Sequence, residues 1–363
     1  MKRYIKLTVI ILIFSFKVLY SQEIKDLITL KPLECETLMV ETSSITEADF
    51  SIKEHLQDYF PIISDEWLGK ITSTATPVSK ESEGDTLESS NEIYKITYLV
   101  PKSFLIDTMK ILWELNIPEF RSYIYQLHNE DTIFIDIWNN VVGKASDKTY
   151  TGNFSAYRIR NWPSWKDPDK PEKPVVPPGP NNPLGLFVVH FDKNSLRYFH
   201  GTNKEYLLQS KMRNLSHGCI RNENDNIQKM KEFIIKRVIK SDDLSYWLTS
   251  KKSMTYDLKP QDQFPVRIIY RTFTVFRDDY GPYIELYKDI YGYNKTSYYG
   301  KSNEESLIIL TNKENILKEY KIKIRDNKIP EERLEKIVDY VIRNATEYER
   351  YYFRDLDEKL RED

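Results

Sequence analysis

The sequence predicts an α+β fold in which a β-rich centre is flanked by helical regions at both ends. Two observations support this prediction. In the centre, apolar and polar residues alternate with a period of two, whereas toward both ends the apolar residues recur every three or four positions. The length of 363 residues fits two or three structural units.

Four segments have helical spacing and are predicted as helices: 47–59, 103–117, 225–240 and 330–363. In the first, Phe50, Leu56 and Tyr59 are predicted to lie on one side. Ser103 is the expected N-cap of the second helix, which ends before Pro118 because proline cannot continue a helix.

Strand-like patterns occur in five central segments: 133–138, 141–142, 186–191, 196–200 and 265–293. Asn139-Asn140 is predicted to be the turn between the first two, and a further turn is expected near Asp279 to Pro282. The segment 163–183 carries eight prolines, which lack a backbone N–H donor. It is predicted to be an ordered or semi-rigid loop, either a spacer or a wall beside a site.

The N-terminus is predicted to be a signal peptide, residues 1–21. Lys2, Arg3 and Lys6 precede an apolar run of about ten residues, whereas roughly twenty are needed to cross a bilayer. Ser21 is the predicted last residue before cleavage, and an uncleaved anchor is the alternative. The mature chain is expected to be exported, with no stable membrane span.

Composition narrows the function classes. Apolar residues make up 40% and charged residues 30%, which excludes a disordered chain and a multi-span transporter. The net charge is −2, and removal of 1–21 takes away four positive charges and no negative ones, which leaves about −6. Nucleic acid is therefore not an expected partner.

The chain has two cysteines, Cys35 and Cys219. In an exported protein they are either one disulfide, two inert thiols, or a pair of which one is kept free for chemistry. Glu34 and Glu36 flank Cys35 and raise the pKa of a thiol, so Cys35 is expected to be inert.

The candidate chemistry lies in His200-Gly201-Thr202 and in the run Ser216-His217-Gly218-Cys219-Ile220-Arg221-Asn222. Two of the five histidines and one of the two cysteines fall there. A thiol attacks only as a thiolate, and an imidazole can serve as its base, so Cys219 and His200 suit acyl transfer. Gly218 lets its own N–H and that of Cys219 approach an oxyanion closely.

Two alternatives compete with this interpretation. The first is a metal site formed by Cys219, His200 and His217, with His190 as a further ligand, although His217 and Cys219 are only two positions apart. The second is a set of hydrogen-bonded polar residues of the core. The joint pattern favours the nucleophile, with no cofactor and no metal.

At these residues the sequence resembles the L,D-transpeptidases with a YkuD-type catalytic domain. Their signature is a His-Gly-Thr-like segment followed by Ser-His-Gly-Cys, an apolar residue and Arg or Asn. Cys219 follows His200 by nineteen positions, within the family's range. Further similar segments are 142–144, 151–154, 177–185, 265–270 and 289–292.

The last two of these segments are similar to the larger YcbB-type branch of Gram-negative bacteria. The resemblance covers 131–293, close to half of the chain, while Tyr150 and Asn153 replace the usual Pro and Thr. It implies a YkuD-type core, described as a mixed β-sandwich or barrel-like fold. The implied organisation is a signal peptide at 1–21, a mainly helical or mixed region at 22–120, the catalytic domain at 121–300 and a helical extension at 301–363.

The resemblance also implies roles for individual residues. Cys219 would attack the carbonyl of the third residue, an L-centre, of a peptidoglycan stem peptide and expel the terminal D-Ala. His200 would be the base, oriented by the carbonyl of Gly201. Backbone N–H groups of His217, Gly218 and Cys219 would hold the oxyanion.

Arg221 and Ser216 would position the substrate or the motif loop, which is the loop that carries the Ser216 to Asn222 motif. The proline-rich loop would form part of a lid. An amine of an acceptor stem would then resolve the thioester into a 3→3 cross-link in the periplasm of a Gram-negative bacterium. Water as acceptor would make an L,D-carboxypeptidase, and a lipoprotein acceptor would make a wall-attachment enzyme. A non-catalytic wall-binding scaffold is the alternative of another class.

Overall fold

The structure is a computed structural model that describes residues 23–71, 73–78, 93–107, 109–167, 169–195, 197–240, 242–326 and 328–362. The predicted signal peptide lies outside these residues. The described chain forms two compact units, one with 23–25 and 31–107 and the other with 26–30 and 109–362. The four-part division predicted from the sequence stays a prediction.

The first unit pairs a small sheet with two helices. Its elements are β1 (Cys35–Thr42), α1 (Ile45–Tyr59), α2 (Asp65–Lys70), β2 (Ser73–Val78) and β3 (Ile93–Pro101). The strands are antiparallel in the order β1-β3-β2. Ser44 caps α1 by accepting a hydrogen bond from the N–H of Glu47. The helix predicted at 47–59 is therefore confirmed.

The buried face of α1 differs from the predicted one. Ala48, Ile52 and Leu56 are buried, whereas the side chain of Phe50 is 66% exposed. Residues four positions apart share a helix face, so Ala48, Ile52 and Leu56 form one stripe and Phe50 lies away from it. The prediction that Phe50 lies on the same side as Leu56 is wrong.

The second unit contains the remaining strands and helices. The strands are β4 (Lys110–Asn116), β5 (Arg121–His128), β6 (Asp131–Gly143), β7 (Gly152–Ala156), β8 (Arg158–Asn161), β9 (Phe187–His190), β10 (Tyr198–His200), β11 (Asn214–Ser216), β12 (Ile220–Asn222), β13 (Met254–Asp257), β14 (Phe264–Arg271), β15 (Phe273–Asp278), β16 (Gly281–Leu286), β17 (Ile308–Ile309) and β18 (Arg350–Tyr352). The helices are α3 (Asn224–Phe233), α4 (Lys313–Lys323), α5 (Glu331–Asn344) and α6 (Phe353–Glu362). Within the described residues, no helix is both long and apolar enough to cross a membrane.

A curled sheet of twelve strands dominates this unit. Its main path runs β13-β8-β9-β10-β12-β6-β5-β4-β14-β17, and β11 and β7 pair with β6 and β14 beside that path. A second sheet, β15-β16-β18, packs with α4, α5 and α6 around its own apolar core. The predicted α+β class with a β-rich centre is confirmed.

The helix predicted at 103–117 is wrong, because its second half is the strand β4. Every residue from Ile111 to Asn116 is buried. A strand buried on both faces is apolar almost continuously, so its residues also satisfy helical spacing. The ring of Trp113 stacks on Phe199 with centroids 3.9 Å apart and meets Trp138 edge-on at 5.6 Å. Sheet packing therefore overrides the local pattern.

The turn predicted at Asn139-Asn140 is also wrong, since β6 runs through both residues. Asn140 is fully buried, and its amide is satisfied from the two neighbouring strands. Its Oδ1 accepts a hydrogen bond of 2.6 Å from Ser122 of β5, and its Nδ2 donates one of 2.8 Å to Asn222 of β12. These bonds keep a turn-forming residue inside a sheet.

Other predicted elements are confirmed: the strands at 186–191, 196–200 and 265–293, and the helix at 225–240. The expected turn near Asp279 to Pro282 joins β15 to β16. The tail predicted as one helix is two helices, α5 and α6. The chain leaves the helical path between them because β18 pairs with β16.

We expect Trp113→Ala to lower the free energy of unfolding by about 3–5 kcal/mol, because it removes a large ring from the contact between β4 and β10. Urea denaturation of the purified protein measures this change. Tyr298, whose side chain is 63% exposed in the same unit, provides the control. Tyr298→Ala should change the stability by less than about 0.5 kcal/mol. Equal effects of the two substitutions would contradict the assigned packing.

Candidate active site

The site is built on one parallel strand pair. In β10 and β12, Phe199 pairs with Ile220 and His200 pairs with Arg221. Side chains alternate between the faces of a strand, so Phe199 and Ile220 point into the core, whereas His200 and Arg221 share the other face. Cys219 immediately precedes β12 and belongs to this second face. The pairing thus brings two distant sequence segments together.

His200 is held as a neutral imidazole. Its side chain is almost fully buried, and Nδ1 lies 2.5 Å from the carbonyl oxygen of Gly201. A carbonyl can only accept, so Nδ1 carries the proton. Burial and the charge of Arg221 lower the pKa of His200 to about 3, against the opposing effect of the Gly201 and Leu184 carbonyls. The imidazole is therefore uncharged near neutral pH.

The thiol of Cys219 lies among hydrogen-bond donors. The backbone N–H and the hydroxyl of Tyr198 both donate to its sulfur. Burial raises the pKa of Cys219, while the Tyr198 donors and the charges of Arg197 and Arg221 act in the opposite direction. Burial thus favours the thiol, and the local donors and charges favour the thiolate.

Ser216 holds the loop that carries the thiol. Its hydroxyl donates a 2.6 Å hydrogen bond to the carbonyl oxygen of Cys219 and accepts one of 3.1 Å from the N–H of Gly218. Its own carbonyl accepts from the N–H of Lys144. The Gly218 N–H is therefore engaged within the loop, and a reaction that used it for an oxyanion would first break that bond.

Gly218 has a backbone conformation that requires glycine. Its φ is +101°, and a Cβ there would lie 2.8 Å from Nε of Arg197 and 3.2 Å from the carbonyl oxygen of Lys148. The carbonyl of Gly218 accepts a 2.9 Å hydrogen bond from the Thr149 hydroxyl, and Arg197 donates to Lys148 at 2.7 Å. Thr149, through its bond to the Gly218 carbonyl, and Lys148, through its bond to Arg197, therefore hold the loop at Gly218 in place.

His217 is half exposed, and its Nε2 lies 3.0 Å from the carboxylate of Asp169 in the proline-rich segment. That segment forms an ordered loop. Trp165 and Val176 make an antiparallel bridge, and the buried side chain of Asn182 donates hydrogen bonds to the carbonyls of Pro163 and Pro177. The proline-rich loop therefore contacts the motif loop through His217.

Positive charge surrounds the reactive face. In β8, Arg158 pairs with His190, and Arg160 pairs with Val188. These two rows continue into β10, because His190 pairs with Tyr198 and Val188 pairs with His200. Arg158 is neutralised by an ion pair with Asp257. Arg160 and Arg221 thus flank the site on the same face, an arrangement suited to a substrate with carboxylates.

The histidine named in the metal alternative, His190, lies beside Tyr198, with ring centroids 4.9 Å apart. Burial and the charges of Arg160 and Arg158 lower its pKa to about 4. Its Nε2 is buried without a hydrogen-bond partner among the described residues. Across all the residues that the structure describes, no group of three or more His, Cys, Asp or Glu side chains could hold a metal ion.

Neither Cys35 nor Cys219 forms a disulfide, so the structure does not contain the alternative pairing. The sulfur of Cys35 donates to the carbonyl of Leu33 at 3.4 Å. Burial raises the pKa of Cys35, and the charge of Glu34 adds to this effect, although the N–H of Ile24 opposes it. This environment disfavours the thiolate.

Tyr198 and Arg197, which both act on Cys219, are not among the site residues predicted from the sequence. A signal for Tyr198 was present, because it precedes His200 by two positions in a predicted strand and must share its face. Arg197 carried no such signal. Its contact with the motif loop depends on segment 148–149, which is distant in the sequence.

The chain is similar to known proteins over the segment that contains these residues. The sequence model of the YkuD family, described as the L,D-transpeptidase catalytic domain, matches residues 113–239. The probable L,D-transpeptidase YbiS of Escherichia coli is 28% identical over 140 residues, which cover 36% of this chain and 44% of YbiS. The probable L,D-transpeptidase ErfK/SrfK of Salmonella typhimurium is 25% identical over 204 residues, which cover 49% of this chain and 64% of ErfK/SrfK.

The chain thus spans about half the length of the curated relatives that it matches. Among solved structures, an L,D-transpeptidase from Mycobacterium smegmatis is 12% identical. The match covers 68% of this chain and 95% of that chain, with a TM-score of 0.28.

We expect the stability of the protein to fall as the pH is lowered from about 6.5 toward 3, because the unfolded chain then binds a proton that folded His200 does not. His200→Gln should remove this contribution. Between about pH 6 and pH 4, the slope of unfolding free energy against pH should decrease by about 1.4 kcal/mol per unit. Urea denaturation at several pH values measures the slope, and an unchanged slope would contradict a buried neutral His200.

Gly218→Ala should lower the unfolding free energy by about 1–3 kcal/mol, since the new methyl group meets Arg197 at an unfavourable φ. Gly292→Ala is the matched control, because Gly292 has φ +70° but no atom within 4 Å of the position that a Cβ would occupy. The control retains the conformational cost without the steric contact. If both variants lose the same stability, steric contact with Arg197 is not the reason for glycine at 218.

Proposed function

We propose that the chain carries an L,D-transpeptidase catalytic domain of the YkuD family and cross-links peptidoglycan stem peptides through a thioester on Cys219. One observation carries the proposal. The sulfur of Cys219 and the neutral imidazole of His200 occupy the same face of the β10–β12 pair, flanked by positive charge. A nucleophile, a base and an anion-binding wall are the parts that acyl transfer from a peptide requires.

In the first half-reaction, the sulfur of Cys219 attacks the carbonyl carbon of the third stem residue, an L-centre. A C–S bond forms, and the C–N bond to the terminal D-Ala breaks. His200 takes up the proton of the thiol and passes it to the departing amine. Nδ1 of His200 is held by the Gly201 carbonyl, so Nε2 is the atom that exchanges the proton.

In the second half-reaction, the side-chain amine of a diamino acid on an acceptor stem attacks the thioester. A C–N bond forms, the C–S bond breaks, and His200 accepts the proton that the amine loses. The product is a 3→3 cross-link. Water in place of the amine would give an L,D-carboxypeptidase, and an amine on a lipoprotein would give wall attachment, both from the same intermediate.

The negative charge on the tetrahedral intermediate needs donors. We assign this role to the backbone N–H groups of His217, Gly218 and Cys219. The N–H of Gly218 can bind the oxyanion only after its hydrogen bond to Ser216 breaks. Arg221 and Arg160 suit the carboxylates of the stem peptide. The proline-rich loop, in contact with His217, serves as part of a lid.

The place of action follows from the substrate. Peptidoglycan lies outside the cytoplasmic membrane, and the basic and apolar start of the sequence agrees with export. We therefore propose the periplasm of a Gram-negative bacterium. Membership of the larger YcbB-type branch stays a prediction that rests on segments 265–270 and 289–292.

Cys219→Ser is expected to lower the rate of stem-peptide acylation by about 10⁴-fold or more, because the nucleophile is lost. Purified protein is incubated with tetrapeptide-containing muropeptides, and the products are separated by chromatography. Cross-linked dimers indicate transpeptidation, and tripeptides indicate carboxypeptidation. Cys35→Ser is the matched control and should keep full activity. If folded wild-type protein forms neither cross-linked dimers nor tripeptides, the proposal is overturned and a wall-binding scaffold is favoured.

The same variants distinguish an inactive site from a missing acceptor. A carbapenem, which carries a strained acyl donor, should add its mass to the wild-type protein and to Cys35→Ser, but not to Cys219→Ser. His200→Ala should slow this acylation by about 10²–10⁴-fold. A mass adduct without muropeptide turnover would show a working nucleophile that needs another acceptor.

A further inference from the structure

A tyrosine adjoins the thiol through the strand pairing. Tyr198 begins β10, and its antiparallel partner in β9 is His190. If the parallel pairing of His200 with Arg221 and of Phe199 with Ile220 is continued by one residue, Tyr198 lies beside Cys219. The period of two places the Tyr198 ring on the same face as His200. The backbone alone therefore directs this ring toward the thiol.

The side chain is held in that position by two neighbouring rings. The Tyr198 ring lies 4.9 Å from the ring of His190 and 5.7 Å from that of His200, measured between centroids. Its hydroxyl and its backbone N–H both act as donors on the sulfur of Cys219 and lower the pKa of that thiol. One residue thus provides two donors to one sulfur, with little freedom to move away.

The state of His200 makes these donors important. Cysteine nucleophiles are commonly activated by a neighbouring imidazolium. Here the buried imidazole of His200 is neutral near neutral pH, so it offers no positive charge to a thiolate in the resting site. The stabilisation of the thiolate must come from other groups. Among the described residues, Tyr198, Arg197 and Arg221 act on the sulfur in this direction.

We propose that Tyr198 is a further catalytic residue, whose hydroxyl donates a hydrogen bond to the sulfur of Cys219 and stabilises the thiolate for attack. This inference rests on the proposed role of Cys219 as the nucleophile. Burial raises the pKa of Tyr198 far above neutral pH, so the phenol keeps its proton and acts only as a donor to the thiolate. The proton of the thiol passes to His200 during attack, as in the proposed mechanism.

The test compares Tyr198→Phe with the parent protein, both in a Cys35→Ser background, so that Cys219 is the single thiol. The rate of alkylation by iodoacetamide is followed by intact-protein mass spectrometry across the pH range. Loss of a hydrogen bond to a charged sulfur should raise the apparent pKa of Cys219 by about one unit. Below that pKa, alkylation should be about tenfold slower, and at high pH the two rates should converge.

Tyr157→Phe is the matched control. Tyr157 loses the same hydroxyl, and its ring also packs near His190, with centroids 6.1 Å apart. Its profile should coincide with that of the parent protein. A profile of Tyr198→Phe that also coincides with the parent would overturn the proposal, as would an equal shift in both variants.

A second replacement keeps the proposal testable if Tyr198→Phe does not fold. Substitution of 3-fluorotyrosine at 198 preserves the shape of the ring and makes the phenol a stronger donor, so the apparent pKa of Cys219 should decrease. An increase or no change would overturn the proposal. Alkylation needs no peptidoglycan, so a shifted profile together with inactivity on muropeptides would refute the proposed function and leave the role of Tyr198 standing.

Discussion

The parallel pairing of β10 with β12 is the constraint on which the site depends. These two short strands are the elements that join the histidine segment to the cysteine segment, and their register fixes which residues face each other. Phe199 anchors the pair by stacking on Trp113 in the core. Because side chains alternate along a strand, this anchoring forces His200 to the opposite face. A shift by one residue would turn His200 into the core and Phe199 toward the site.

Burial shifts the pKa values of Cys219 and His200, and the neighbouring donors and charges modify these shifts. Removal from water disfavours charge, so it raises the pKa of Cys219 and lowers that of His200. Both effects favour the neutral thiol and the neutral imidazole. The donors of Tyr198 and the charge of Arg221 oppose burial at the sulfur, whereas the charge of Arg221 reinforces it at the histidine. One arginine therefore favours a thiolate beside a neutral base.

Much of this arrangement was predictable from the sequence, and the failures have physical causes. Alternation and the spacing of rare residues located β9, β10 and the motif around Cys219. Local patterns failed where tertiary contacts decide. β4 is buried on both faces and mimics a helix, and Asn140 looks like a turn residue because its partners, Ser122 and Asn222, are distant in the sequence. The contacts of Arg197 depend on the same kind of long-range packing.

In the proposed mechanism, one residue of the Ser-His-Gly-Cys segment reacts and the others hold it in place. Ser216 bridges the N–H of Gly218 and the carbonyl of Cys219, and Thr149 fixes the carbonyl between them. Each of these bonds constrains backbone rather than substrate. The conformation at Gly218 then follows from the loop, since Arg197 occupies the space where a side chain would lie. The motif thus specifies the shape of a loop as much as its chemistry, because the proposed attack on a peptide carbonyl requires a thiol held in a fixed orientation.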